Sequence, residues 1–290
     1  MPINSKKFLI RLVSRLYEGF PSLSSDHRLL LSKCAILLIT IDDPIETLST
    51  KKEWWNVGKM FLDRLRDIYL GREIVDSNLP MSCIPKSLRE ELIQNIAMSQ
   101  EVYSGLKKNL HSSIHSHVCK AFLEYLNAIE WEQKYLVDRK LDSNFQDIRI
   151  SSIGFKWNLI PLFTDPKIVK YISLKDPILS MVSWIVALQN DIIGGPRDRG
   201  MNDFSLLSQS NFILETSDCN TYYDSIRKML IEINELKYAT QVLISRFDNH
   251  KMRSYYDMMI LFAEKCLDVH LLTGINSLND RYGWKPIYEE

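Results

Sequence analysis

Two polar stretches hold the residue types that could do chemistry. The first is Ile41-Asp42-Asp43-Pro44-Ile45-Glu46. Asp42 and Glu46 stand four apart, so on a helix both point the same way. The second is Asn190-Asp191-Ile192-Ile193-Gly194-Gly195-Pro196-Arg197-Asp198. Asn190, Gly194 and Asp198 stand at i, i+4 and i+8 and share one face of a continuous helix. Carboxylates and a carboxamide at the end of an apolar face suit a hard, oxygen-loving cation such as Mg²⁺. Arg197 adds a fork of donors that matches phosphate. The plainer reading of the second stretch is a helix end, punctuated by Gly194-Gly195-Pro196.

Apolar helices must present these stretches. Ile178 to Ala187 is an apolar run leading into Asn190. Asp26 opens another helix, which carries no charge between Lys33 and Asp42 and so reads as buried on every side. It ends in Asp42-Asp43-Pro44. Adjacent carboxylates there are costly unless a cation pairs with them.

Between the two stretches the helical period recurs. Val57, Phe61, Leu65 and Ile68 mark a helix over 54–69, stopped by Gly71. Further helices are read over 88–110 and 115–136. The stretch 145–163 contains Arg149, Ser152, Ile153, Gly154 and Pro161, and its Gly and Pro predict a helix interrupted in mid-course. Helices follow over 174–193, 202–213, 221–247 and 255–272. With a first surface helix before Phe20, the chain reads as about ten helices, no strand, and one all-α domain over 1–290.

Composition excludes several classes. The 290 residues can bury a sizeable core, and 46% of them are apolar. Lys+Arg and Asp+Glu number 36 each, which lacks the basic excess of a nucleic-acid binder. Ten Gly and ten Pro are too few for a turn-rich β fold. The five cysteines are scattered without a C-x-x-C, as in a reducing compartment such as the cytoplasm. Lys6, Lys7, Arg11 and Arg15 sit in an N-terminus without a signal-peptide core. No apolar run approaches the roughly 20 residues that span a bilayer, so no stable membrane insertion is expected.

The ordered set of Asp42-Asp43-x-x-Glu46, Arg149-x-x-Ser152-x-Gly154, Asn190-Asp191 through Asp198, and Arg281-Tyr282 resembles the class I terpene synthases (terpene cyclases) of the microbial single-domain type. One D-D-x-x-E is common by chance, but the ordered set is far more specific. The resemblance implies a helical bundle around a deep apolar cavity, with the two acidic motifs opposed across its mouth. It implies a lyase that ionises an acyclic prenyl diphosphate, most commonly farnesyl diphosphate, releases diphosphate and cyclises the cation. Three Mg²⁺ ions are implied, with Mn²⁺ as a substitute. So are a small-molecule substrate, no nucleic acid, and a homodimer as one arrangement.

Residue by residue, the resemblance makes Asp42 the principal ligand of the first metal pair, supported by Asp43 and Glu46. Asn190, position 194 and Asp198 would hold the third metal. Arg149 would sense the diphosphate, Ser152 would link, and the Ile153 carbonyl would face the cation. Arg197, Arg281 and Tyr282, with Arg149 and Asn190, would bind the diphosphate. The chemistry fits these types, because a departing polyanion needs metals and Arg donors, and a carbocation needs a dry pocket. The chain departs from the family at three points. Gly194 replaces Ser or Thr, Asp198 replaces Glu, and Gly195-Pro196 should disturb the helix between ligands.

Other readings stand beside these. His111, His115 and Cys119 share a face if their helix starts early, which opens a zinc reading against a polar helix start. Trp157, Trp184, Phe155 and Phe163 read as cation-pocket lining or as plain core. A chain-elongating prenyl diphosphate synthase would carry a second aspartate-rich motif where this chain has Asn190-Asp191. A catalytically dead helical binding protein is the reading from a different class.

Overall fold

A computed structural model describes residues 13, 15–17, 20, 23–49, 51–72, 81–138, 145–168, 173–174, 176–200 and 222–276. Among the described residues there are nine α-helices and no strand. The chain divides into two compact units, Phe20–Leu174 and Met1–Gly19 with Lys175–Glu290.

The first unit contains α1 (Ser25–Ser49), α2 (Lys52–Tyr69), α3 (Lys86–Asn109), α4 (Ser112–Asp138), α5 (Phe145–Ser152) and α6 (Phe155–Leu159). α1 packs against α2, α3, α4 and α6, and α4 carries α5 and α6. Ser24 caps α1 by accepting from the His27 N–H at 3.2 Å. The amphipathic reading of α2 holds: Val57, Phe61, Leu65 and Ile68 are all buried. Gly71 ends that helix at φ 68, with Gly71 N donating to Ile68 O and Arg72 N to Asp67 O. These paired bonds satisfy the last carbonyls, and the left-handed φ is free of cost only for glycine. The rings of Tyr69, Phe122 and Trp157 meet at centroid distances of 4.1, 4.4 and 5.3 Å and fill the core.

α1 does not stop at Asp42-Asp43-Pro44, as the sequence pattern has it. It runs through Pro44 to Ser49. A proline inside a helix costs about 3 kcal/mol. Ile45 and Leu48 lie beyond it at 0% exposure. Burying each contributes about 1.5–3 kcal/mol, so continuing the helix outweighs the proline.

The second unit contains α7 (Pro177–Gly200), α8 (Tyr222–Ser245) and α9 (His250–Asn276), and α7 packs against both partners. α7 starts at Pro177, later than the pattern predicts. Proline suits the first helical position and disfavours helix before it. Asp176 Oδ1 accepts from Ile178 N at 2.8 Å and Leu179 N at 3.3 Å, and Tyr256 OH donates to Asp176 Oδ2 at 2.8 Å. α9 starts earlier than Tyr255 because Asn249 Oδ1 caps the N–H groups of Lys251 and Met252. Gly194-Gly195-Pro196 does not end α7, whose backbone stays helical to Gly200. Pro196 removes one backbone bond, and the turns on either side keep theirs. The helix expected over 202–213 lies outside the described residues.

Candidate active site

α1 is split lengthwise. Ile41, Ile45 and Leu48 are fully buried, while Asp42, Asp43 and Glu46 are partly exposed. The core claims one face and leaves the carboxylates to the other. Tyr125 of α4 donates its hydroxyl to Leu38 O at 3.1 Å, one turn before Asp42. Burial pushes the Tyr125 phenol well above its ordinary pKa, and the carboxylates of Asp42, Glu132, Asp43 and Glu46 push it further. Glu91 of α3 is also raised, by burial first and then by Asp43.

Glu132 and Glu91 were missed by the motif reading. Glu132 was legible in principle. Tyr125, Ile129 and Gln133 are buried on α4, so the helical period turns position 132 inward as well.

The predicted break is present. α5 ends at Ser152, and Gly154 opens α6 at φ 67. Arg149 is 7% exposed. Its Nη1 donates to Ser152 Oγ at 3.2 Å and lies 3.5 Å from Glu132 Oε1. Ser152 Oγ donates in turn to Glu132 Oε1 at 2.5 Å. A buried guanidinium needs such a counter-charge. Trp157 Nε1 donates to Cys34 O at 3.2 Å, which fastens α6 to α1. The break and the acidic motif therefore belong to one packed body.

In the second unit Asn190 is partly exposed and Asp191 is 2% exposed. Positions 190, 194 and 198 follow one face of a continuous helical backbone. The side chains of Arg197 and Asp198, and all of Arg281 and Tyr282, lie outside the described residues.

No family model matches the chain. A (+)-bicyclogermacrene synthase of Penicillium expansum is 24% identical over 98% of this chain and 74% of its own. A crystal structure of 2-methylisoborneol synthase from Streptomyces coelicolor A3(2), with Mg²⁺ and 2-fluoroneryl diphosphate, superposes at TM-score 0.71 and 10% identity. The match covers 98% of this chain and 87% of that one. The chain has the class I terpene synthase fold. A second structure of the same Streptomyces enzyme, with Mg²⁺ and geranyl-S-thiolodiphosphate, gives TM-score 0.68 at 10% identity over 97% of this chain and 86% of that one.

Within the class I terpene synthase fold the remaining readings sort themselves. Trp157, Phe155 and Phe163 are at most 2% exposed, and Trp184 donates Nε1 to Glu232 Oε1 at 2.8 Å. His115 Nε2 and Cys119 Sγ approach to 3.5 Å, but His111 Nδ1 bonds Ser113 Oγ at the helix start. Among the described residues no three His, Cys, Asp or Glu side chains form a group placed to hold a metal. Mg²⁺ uses one or two carboxylates together with substrate phosphates and water, seldom an all-protein cage. Asp42 and Glu46, flanked by Asp43, fit that mode. No described helix is long and apolar enough to cross a membrane.

Proposed function

We propose that this chain is a Mg²⁺-dependent terpene synthase of the cytoplasm, acting on an acyclic prenyl diphosphate, with farnesyl diphosphate as substrate. The observation that carries the reading is the partly exposed Asp42, Asp43 and Glu46 on the helix that Tyr125 holds at Leu38 O, in one body with the Arg149–Ser152–Glu132 network at the Gly154 break. The relative is named a (+)-bicyclogermacrene synthase, and the neighbours hold 2-fluoroneryl diphosphate and geranyl-S-thiolodiphosphate with Mg²⁺.

Asp42 would be the principal ligand of the first Mg²⁺ pair, with Asp43 and Glu46 in support, and Asn190 and Asp198 would be ligands of a third Mg²⁺. Bound Mg²⁺ neutralises the negative charge that collects on diphosphate as it leaves. Arg149 would donate to the diphosphate oxygens, for which its planar fork is suited. Ser152 ties Arg149 to the turn that carries Ile153, so a pull on the guanidinium reaches the Ile153 carbonyl. That carbonyl dipole would steady the allylic cation. Arg197, Arg281 and Tyr282 would complete the diphosphate contacts.

Diphosphate release from 10-, 15- and 20-carbon prenyl diphosphates, with gas chromatography of the products, tests the reading. Release with Mg²⁺ from one substrate alone, giving a hydrocarbon or alcohol, supports it. Release only when isopentenyl diphosphate is added would make the chain an elongating synthase. No release from any substrate would leave a helical binding protein.

A further inference from the structure

We propose that Asn95 is a positioning residue for the acidic motif, because it replaces the backbone hydrogen bond that Pro44 cannot make. In an α-helix the N–H of residue 44 would donate to the C=O of residue 40. Pro44 has no N–H, and its ring crowds that same carbonyl. Thr40 O instead accepts from Asn95 Nδ2, on α3, at 2.6 Å. Asn95 is 2% exposed and stands in the buried stripe of Leu88, Leu92, Ser99, Val102 and Leu106. An amide in such a stripe must be partnered, and here its partner is the one carbonyl that a proline orphans.

The consequence falls on the site. Asp42 precedes Pro44 and Glu46 follows it, so their shared face exists only while the turn between them stays helical. Helices bend at proline where the freed carbonyl tilts away. Asn95 grips that carbonyl from α3, and Tyr125 grips Leu38 O from α4. The two side chains hold the turn before Asp42 in register with the turn after Pro44. The functional half of this inference rests on the metal-binding reading of Asp42 and Glu46.

The test is a cycle of four proteins: wild type, Asn95→Leu, Pro44→Ala and the double variant. Hydrogen exchange of the amides at 45–48 reads the turn without substrate. The Mg²⁺ concentration for half-maximal diphosphate release reads the site. In the wild-type background Asn95→Leu should speed exchange at 45–48 about tenfold and raise the half-maximal Mg²⁺ several-fold. In the Pro44→Ala background residue 44 regains its N–H, and the same change should leave both nearly unmoved. Equal losses in both backgrounds would overturn the proposal, since a packing role is indifferent to residue 44. Asn95→Ser, too short to reach Thr40, repeats the cycle should the leucine fail to fold. Exchange rescued without diphosphate release from any protein would uphold the replaced bond and sink the enzymatic reading. Release without exchange rescue would overturn the bond alone.

Discussion

A Cβ placed on Gly154 would lie 1.9 Å from Cδ1 of Leu38. The glycine that interrupts α5 and α6 is thus held against α1 one turn before Asp42. Two separate demands fix it there, the close approach and a φ of 67.

Gly154→Ala should therefore destabilise the fold by about 2–5 kcal/mol, from the left-handed φ and the overpacking together. Chemical denaturation measures it. Adding Leu38→Ala should recover only the overpacking part, because the backbone cost remains. Full recovery would mean that φ costs nothing at this position.

Asp42→Asn should cut diphosphate release by roughly 10²–10³-fold, the scale for losing one charge-stabilising group. Stability should stay level or rise slightly. Asp42 is partly exposed on the face of α1 opposite the buried Ile41, Ile45 and Leu48, so an isosteric amide there disturbs no packed core. Turnover and thermal midpoint, measured on the same preparation, check both halves. Wild-type turnover would remove Asp42 from the metal site.

Glu132→Gln should destabilise by about 1–3 kcal/mol, since it turns the charge-assisted bond from Ser152 into a neutral one and removes the counter-charge of Arg149. The loss should shrink in an Arg149→Met background, where no buried cation remains to be balanced. A double-mutant cycle by urea unfolding gives the coupling. A coupling near zero would mean that Arg149 takes its counter-charge elsewhere.

Gly194→Ser should lower the Mg²⁺ concentration for half-maximal rate. The helical backbone from Asn190 to Gly200 puts position 194 in line with 190 and 198. Serine restores the hydroxyl that the family carries there and stabilises the helix by about 0.5 kcal/mol over glycine. A Mg²⁺ titration of both proteins checks it. Identical curves would show that position 194 makes no contact with the metal.

By itself the sequence determined the helices and their inward faces. The apolar period of Val57, Phe61, Leu65 and Ile68 admits one helix face and no alternative, because burial follows a 3.6-residue repeat. It also determined the break at Gly154, which is a matter of local backbone. It misplaced helix ends at Pro44 and at Gly194-Gly195-Pro196; at Pro44 the proline's penalty is local, while the burial that overrides it is not. Ile45 and Leu48 go inside because α1 has neighbours to bury them. Asn95 against Thr40, and Glu132 against Arg149 and Ser152, join helices far apart in the chain. No period or motif relates such residues. Only tertiary packing decides which buried donor meets which orphaned acceptor, since an unpaired polar group in the core costs about 1–3 kcal/mol, a large share of a marginal stability.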